Sequence, residues 1–250
     1  MGVSAPVAAK ANGLSTVVNT IAAPAEAFET LRESPTWGWA LIVALVLMLL
    51  GTYILQPAQL HAGQASMQQA VNSSTLFANM TAAQKQRIID NAGKPNPVSY
   101  AGVVLGFFIA VFCNTLVMLI GNAAGGGQAD FKRLWCGSVN IAVPTLGIGT
   151  IVWGAIARMR GPDSFNSSID LSRAMPSIGT FVSHGSPALI TFLTGISIFT
   201  VWGLYLNATM LQRTAKTSPA VAYVFAGLVL ILGALISAGM MAIAHGNGMV

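Results

Sequence analysis

The residues able to do chemistry are few and far apart. Histidine occurs at positions 61, 184 and 245, and cysteine at 113 and 136. Zinc hydrolysis asks for His-Glu-x-x-His on one helix face, and redox or zinc-thiolate chemistry asks for Cys-x-x-Cys; neither spacing occurs. The run Gly125, Gly126 and Gly127 lacks the Gly-Lys-Ser/Thr ending of a phosphate loop and the third glycine of a dinucleotide fingerprint. No catalytic set, metal site or cofactor is therefore expected. The remaining polar candidates are Asn114, Asn140 and Asn207, together with Pro144, all lying inside long apolar runs. An amide so placed either hydrogen-bonds a neighbouring helix or lines a path for a solute.

Those runs organise the chain. Val98 to Ile120 and Leu134 to Trp153 are each about 20 residues or more, enough for a helix to cross a hydrocarbon core of about 30 Å. Neither contains Asp, Glu, Lys or Arg, and the loop Gly121 to Arg133 that joins them reads as a flexible turn. Charged residues make up 8% of the chain against about 25% in a soluble domain, which nearly excludes a water-facing fold. The expected fold is all-α, a polytopic membrane protein with five transmembrane helices at 36–55, 98–120, 134–153, 187–211 and 219–244. The net charge of +5 comes from scattered Lys and Arg, with no run longer than Lys132-Arg133. That pattern points to anionic lipid headgroups and not to nucleic acid. Both cysteines fall in apolar runs and read as inert buried thiols.

Residues 1–23 read as a flexible tail, without the basic start and apolar core of a cleavable signal peptide. From Pro24 to Glu33, Ala25, Phe28 and Leu31 recur at helical spacing while charges occupy the other faces. This predicts a short helix lying in the headgroup plane on Phe28 and Leu31, with docking to a partner as the alternative. Ser34-Pro35 starts the first span, Trp37 and Trp39 are expected at the interface, and Gln56-Pro57 marks its end.

The insert 56–97 is long enough to carry structure of its own. Leu60 to Val71 is a candidate extension of the first helix. Thr81 with Gln84 forms a capping box that opens a helix ending before Gly93. In the second span Gly102-x-x-x-Gly106 would let another helix approach closely. Pro144 should bend the third. Arg158 to Ser186 reads as an external loop with a short helix around Ile169 to Met175, and residues 245–250 as a C-terminal tail. Gln212 to Ser218 is short, so the fourth and fifth spans must be antiparallel neighbours.

Five spans put the termini on opposite sides. Lys10, Arg32, Lys132, Arg133, Arg213 and Lys216 fall on the N-terminal side, and Lys85, Arg87, Lys94, Arg158, Arg160 and Arg173 on the other. The first set crowds short loops close to helix ends, where the positive-inside rule is strongest, and favours a cytoplasmic N-terminus.

In this arrangement the chain resembles the Yip1 domain family, in its bacterial branch. The resemblance covers roughly Pro24 to Ala244. It rests on Pro24, Phe28 and Leu31 followed by Ser34-Pro35 and a Trp, on Gly126, Gly127 and Phe131, and on Trp202 with Ser218 and Ala220. It implies five spans and a cytoplasmic N-terminus. Eukaryotic members associate with Rab-type GTPases in vesicle traffic, and the family supplies no catalytic residues.

Three functions compete. A non-enzymatic scaffold would work through helix packing, the lipid bilayer and recruitment of membrane or cytoplasmic proteins or a second copy of itself. A transporter or channel subunit would use Asn114, Asn140, Pro144 and Asn207 as a polar path. A membrane enzyme would use the three histidines, which fall on one side.

Overall fold

The computed structural model describes residues 12–182 and 184–246, the side chains of 244–246 excepted. Four helices are long and apolar enough to cross a membrane: Gly38–Ser73, Pro97–Ala124, Phe131–Arg160 and Pro219–Ile243. The protein is an all-helical polytopic membrane protein.

The chain starts with α1 (Gly13–Ala22) and α2 (Pro24–Glu33). Part of the expected flexible tail is thus helical: Asn12 caps α1 by accepting from the amide of Leu14 at 3.2 Å, and Val17 is buried. Residues 1–11 of that tail lie outside the described residues.

The structure also corrects the reading of Phe28 and Leu31 as headgroup-plane contacts. Both have no exposed surface, and they pack with Leu134, Leu206, Met210 and Leu211 in a core shared with the later helices. An apolar stripe fits a protein groove as well as a lipid surface, and here the groove is within the chain. Trp37 and Trp39, at the next helix start, stay exposed.

The first span belongs to α3 (Gly38–Ser73), which does not end at Gln56-Pro57. Pro57 removes one backbone donor, yet Leu55, Ala58, Ala62, Ser66 and Ala70 form a continuous buried stripe three or four residues apart across it. Packing along that stripe outweighs the missing bond. At 1.5 Å per residue the helix is about 54 Å long, so about 24 Å of it, more than two-fifths, extends past a hydrocarbon core of about 30 Å.

Its far half carries a small headpiece. There α4 (Ala82–Ala92) opens on the expected box: the Gln84 amide donates to Thr81 Oγ1 at 3.3 Å, and the Thr81 amide donates to Gln84 Oε1 at 2.9 Å. The second span, α5 (Pro97–Ala124), begins at Asn96-Pro97. The third comprises α6 (Phe131–Ala142), a π-helical turn at Val143–Ile148 and α7 (Gly149–Arg160). Pro144 sits at the start of that wide turn, where its missing donor and bulky ring are accommodated. A five-residue helix, α8 (Ser168–Ser172), returns to the headpiece: Ser66 Oγ accepts the Ser168 amide at 3.0 Å, and the Trp153 indole donates to Leu171 O at 2.9 Å.

The expected span 187–211 is broken into α9 (Pro187–Thr194) and α10 (Ile198–Arg213). Ser197 restarts the helix by capping: its amide donates to Thr200 Oγ1 at 2.8 Å, and its hydroxyl accepts the Thr200 amide at 3.3 Å. The freed backbone is met by the strand-like segment 176–178, with the Ile178 amide on Ile196 O at 3.1 Å and the Ile198 amide on Pro176 O at 3.4 Å. Irregular backbone beside lipid survives only when partnered in this way. The last helix, α11 (Pro219–Gly246), runs antiparallel against α10 and packs on α9. Its backbone carries the helix into the expected C-terminal tail, of which 247–250 lie outside the described residues.

Two further expectations change. Among the described residues, a Cβ built on Gly102 or Gly106 meets nothing within 4 Å, so none of the described helices approaches there. The close crossing is elsewhere: a Cβ on Gly51 would stand 2.6 Å from the Thr150 carbonyl carbon, and one on Gly154 would stand 2.8 Å from Gly51 O. Likewise only Cys136 is buried; Cys113 lies exposed on the outward face of α5.

Candidate functional site

The polar residues inside the spans form a seam through α5, α6 and α10. Asn114 donates its amide hydrogens to Ser138 Oγ at 2.9 Å and to Asn207 Oδ1 at 3.0 Å, so one side chain joins three helices. Asn207 in turn donates to Gly203 O, one turn earlier, at 2.9 Å. Asn140 is not part of this cluster. It donates to Cys136 O at 2.8 Å and to Thr36 O at 3.2 Å, holding the link between α2 and α3. Two residues along a helix turn the side chain by about 200°, which is why Ser138 faces α5 while Asn140 faces the other way. Asn114 Oδ1 and Asn140 Oδ1 are each buried without a hydrogen-bond donor.

The Gly121 to Arg133 segment is a structured turn and not a flexible one. Asn122 clamps it from both sides, donating to Ala129 O at 2.9 Å and accepting the Ala129 amide at 3.2 Å. Gly126 takes the left-handed conformation at φ 63°. Gly127 lies where a Cβ would collide with Asn122 Oδ1 and come within 2.9 Å of Ala215 O. Gln128 donates its amide to that Ala215 carbonyl at 2.9 Å, which joins this turn to the 214–218 connection.

The same end carries a collar made by α2. Thr214 Oγ1 donates to Phe28 O at 2.9 Å, Arg213 pairs with Glu29 at 3.1 Å, and Arg133 Nε donates to Arg32 O at 2.8 Å. Arg133 also pairs with Asp130 at 3.4 Å, so it serves the protein as well as any phosphate outside it. Phe131 stacks on Trp135 with ring centroids 6.2 Å apart.

The histidines do not assemble. His61, on the far half of α3, pairs with Asp163 at 3.5 Å, and His184 is exposed; the His245 side chain lies outside the described residues. Among the described residues no three His, Cys, Asp or Glu side chains cluster as metal ligands would. Ser138, Asn122 and Thr214 were not singled out from sequence. Their signal is weak, since short hydroxyl and amide side chains in spans mostly bond their own helix, as Thr115 does to Val111 O at 2.8 Å.

Comparison with known proteins agrees with this architecture. The sequence profile of the Yip1 domain matches residues 18–241, from within α1 to near the end of α11. The membrane protein YknW of Bacillus subtilis (strain 168) is 24% identical over 226 residues, covering 86% of this chain and 84% of that protein. No solved structure matches the chain.

Proposed function

The chain belongs to the Yip1 domain family, and on that premise we propose that it is a non-enzymatic membrane scaffold that organises partner proteins in the bilayer. The observation that carries this reading is the use made of the interior polar groups. Asn114 donates to both Ser138 and Asn207, and Asn140 bonds backbone, so the side chains able to line a path act as ties between helices. Recruitment is served by surfaces the chain leaves open. Gly102 and Gly106 present a flat stretch of α5 to which a partner span or a second copy could come close, and α4 with the last turns of α3 offers a protein surface beyond the apolar part of the span.

The orientation that fits is a cytoplasmic collar end in a bacterial inner membrane, with the headpiece and C-terminus external, because Lys132, Arg133, Arg213 and Lys216 sit close to helix ends in two short connections. Single cysteines at Ser73 or Ser167, in a chain lacking Cys113 and Cys136, should react with an impermeant maleimide in intact cells. Cysteines in 212–218 should not, and the reverse pattern would invert the orientation.

One observation favours transport as the second reading. The break between α9 and α10 lies beside the π-helical turn: a Cβ on Gly203 would stand 3.0 Å from Thr145 Cγ2, and one on Gly149 would stand 3.3 Å from Phe199 Cγ. Discontinuous helices near the bilayer midplane form substrate sites in carriers. Affinity purification of the full chain in mild detergent should recover a protein partner in comparable amount, and reconstituted vesicles should show no solute flux. Flux that disappears in a stably folded Asn114→Leu, Asn207→Leu double variant would overturn the scaffold.

A further inference from the structure

At the headpiece end, away from the collar and the polar seam, lies an open cleft of about 410 Å³ lined by Arg160, Ser164, Phe165, Asp170 and Arg173. That volume is within the range of small-molecule sites, roughly 300–1,000 Å³. Three of its five residues are charged. The ion pairs among the described residues are Arg32 with Glu33, His61 with Asp163, Arg133 with Asp130 and Arg213 with Glu29, and none of them involves the cleft.

Arg173 is only half satisfied. Its Nη2 donates to Val182 O at 2.8 Å, which fixes the guanidinium, while its Nε is buried with no acceptor among the described residues. A buried guanidinium N–H without an acceptor is costly, so the group holds its charge in the cleft with few protein partners and favours an anionic oxygen near its remaining N–H groups. Two guanidinium groups suit the oxygens of a phosphate, which they bind through paired, charge-assisted hydrogen bonds. The Asp170 carboxylate would repel a simple anion but would attract an ammonium group. The lining therefore fits a zwitterion with a phosphate at one end and an amine at the other.

The surroundings indicate where such a group comes from. Met159, next to Arg160, is 88% exposed, and Phe181, next to the Val182 that anchors Arg173, is 90% exposed. Large apolar side chains bared beside a charged cleft suit the depth at which lipid headgroups meet acyl chains. Arg160 is the last residue of a helix long and apolar enough to cross a membrane, and the cleft opens at that end of it. We propose that this cleft binds the phosphoethanolamine headgroup of a membrane lipid, with Arg160 and Arg173 on the phosphate and Asp170 on the amine.

The test uses the full chain in a neutral detergent, with lipid binding read by native mass spectrometry. Short-chain phosphatidylethanolamine should bind about tenfold more tightly than phosphatidylcholine of the same chain length, whose quaternary amine cannot donate to Asp170. Arg160→Gln and Arg173→Gln should each weaken phosphatidylethanolamine by about tenfold or more, as loss of a charge-assisted bond implies. Asp170→Asn should erase the preference between the two lipids. Arg160 is exposed, so its variant should melt as the original chain does and separates binding from folding. Equal binding of the two lipids by the original chain, or full binding by Arg160→Gln, would overturn the proposal. Free phosphoethanolamine binding as tightly as the lipid would overturn the lipid as the source.

Discussion

Asn114 and Asn207, 93 residues apart in the chain, meet side chain to side chain at 3.0 Å and tie α5 to α10 inside the bundle. In a double-mutant cycle of Asn114→Leu and Asn207→Leu, read by thermal denaturation in detergent, the coupling should be about 0.6 kcal/mol and no more than about 2, because separated helices find other polar partners. Asn114→Leu and Asn140→Leu should be additive, since those two residues share no bond. A larger coupling for Asn114 with Asn140 than with Asn207 would contradict the arrangement.

At the crossing of α3 and α7, Gly51 and Gly154 leave no room for a methyl group, and the obstacle is largely backbone that cannot swing aside. Gly51→Ala should therefore cost about 1–3 kcal/mol. Gly102→Ala and Gly106→Ala meet open space and should leave the isolated chain as stable or more stable, by up to about 1 kcal/mol from helix propensity. The same melting experiment decides, and a destabilised Gly102→Ala would show that a partner helix sits there.

Burial of Phe28 and Leu31 sets a third expectation. Phe28→Ala should cost about 3–5 kcal/mol and Leu31→Ala about 2–5, and each should expose the 24–33 segment to hydrogen exchange. Trp39, 53% exposed, should tolerate alanine within about 0.5 kcal/mol in detergent. Unchanged exchange in Phe28→Ala would mean that α2 is held by its polar contacts alone.

Lys216 occupies the left-handed region at φ 60°, where a Cβ is crowded by backbone. Lys216→Gly should relieve part of an intrinsic cost of about 1–2 kcal/mol and raise the melting temperature. Lys216→Ala keeps the Cβ and should not. If both variants gain equally, the effect comes from charge and not from the backbone.

Much of the fold could be read from the residues. Thr81 with Gln84 acts locally, and the structure uses the pair as written. The apolar runs mark where helices cross because a charge-free stretch of that length has few other folds. What could not be read depends on what stands opposite. Phe28 and Leu31 form the same stripe whether lipid or Met210 faces them. Gly51 signals nothing until Thr150 lies beside it, whereas Gly102-x-x-x-Gly106 carries a familiar spacing and faces outward. Ser197 and Thr200 do hold a helix start, but it is submerged in an apolar stretch that, judged by hydropathy, reads as one span. In the seam, the apolar runs put Asn114 and Asn140 inside neighbouring spans without telling which face of α6 would meet α5.

The length of α3 has a mechanical consequence. One rod of about 54 Å is gripped in its first half by the core around Val17, Met48 and Val139, and past its middle by the headpiece core around Ala62, Phe165 and Leu171. A helix whose apolar stretch exceeds the local hydrocarbon thickness accommodates by tilting. A tilt of about 10° over that length carries the far end sideways by about 9 Å. The headpiece thus rides on a lever, and any change in the tilt of the bundle becomes a displacement at its surface.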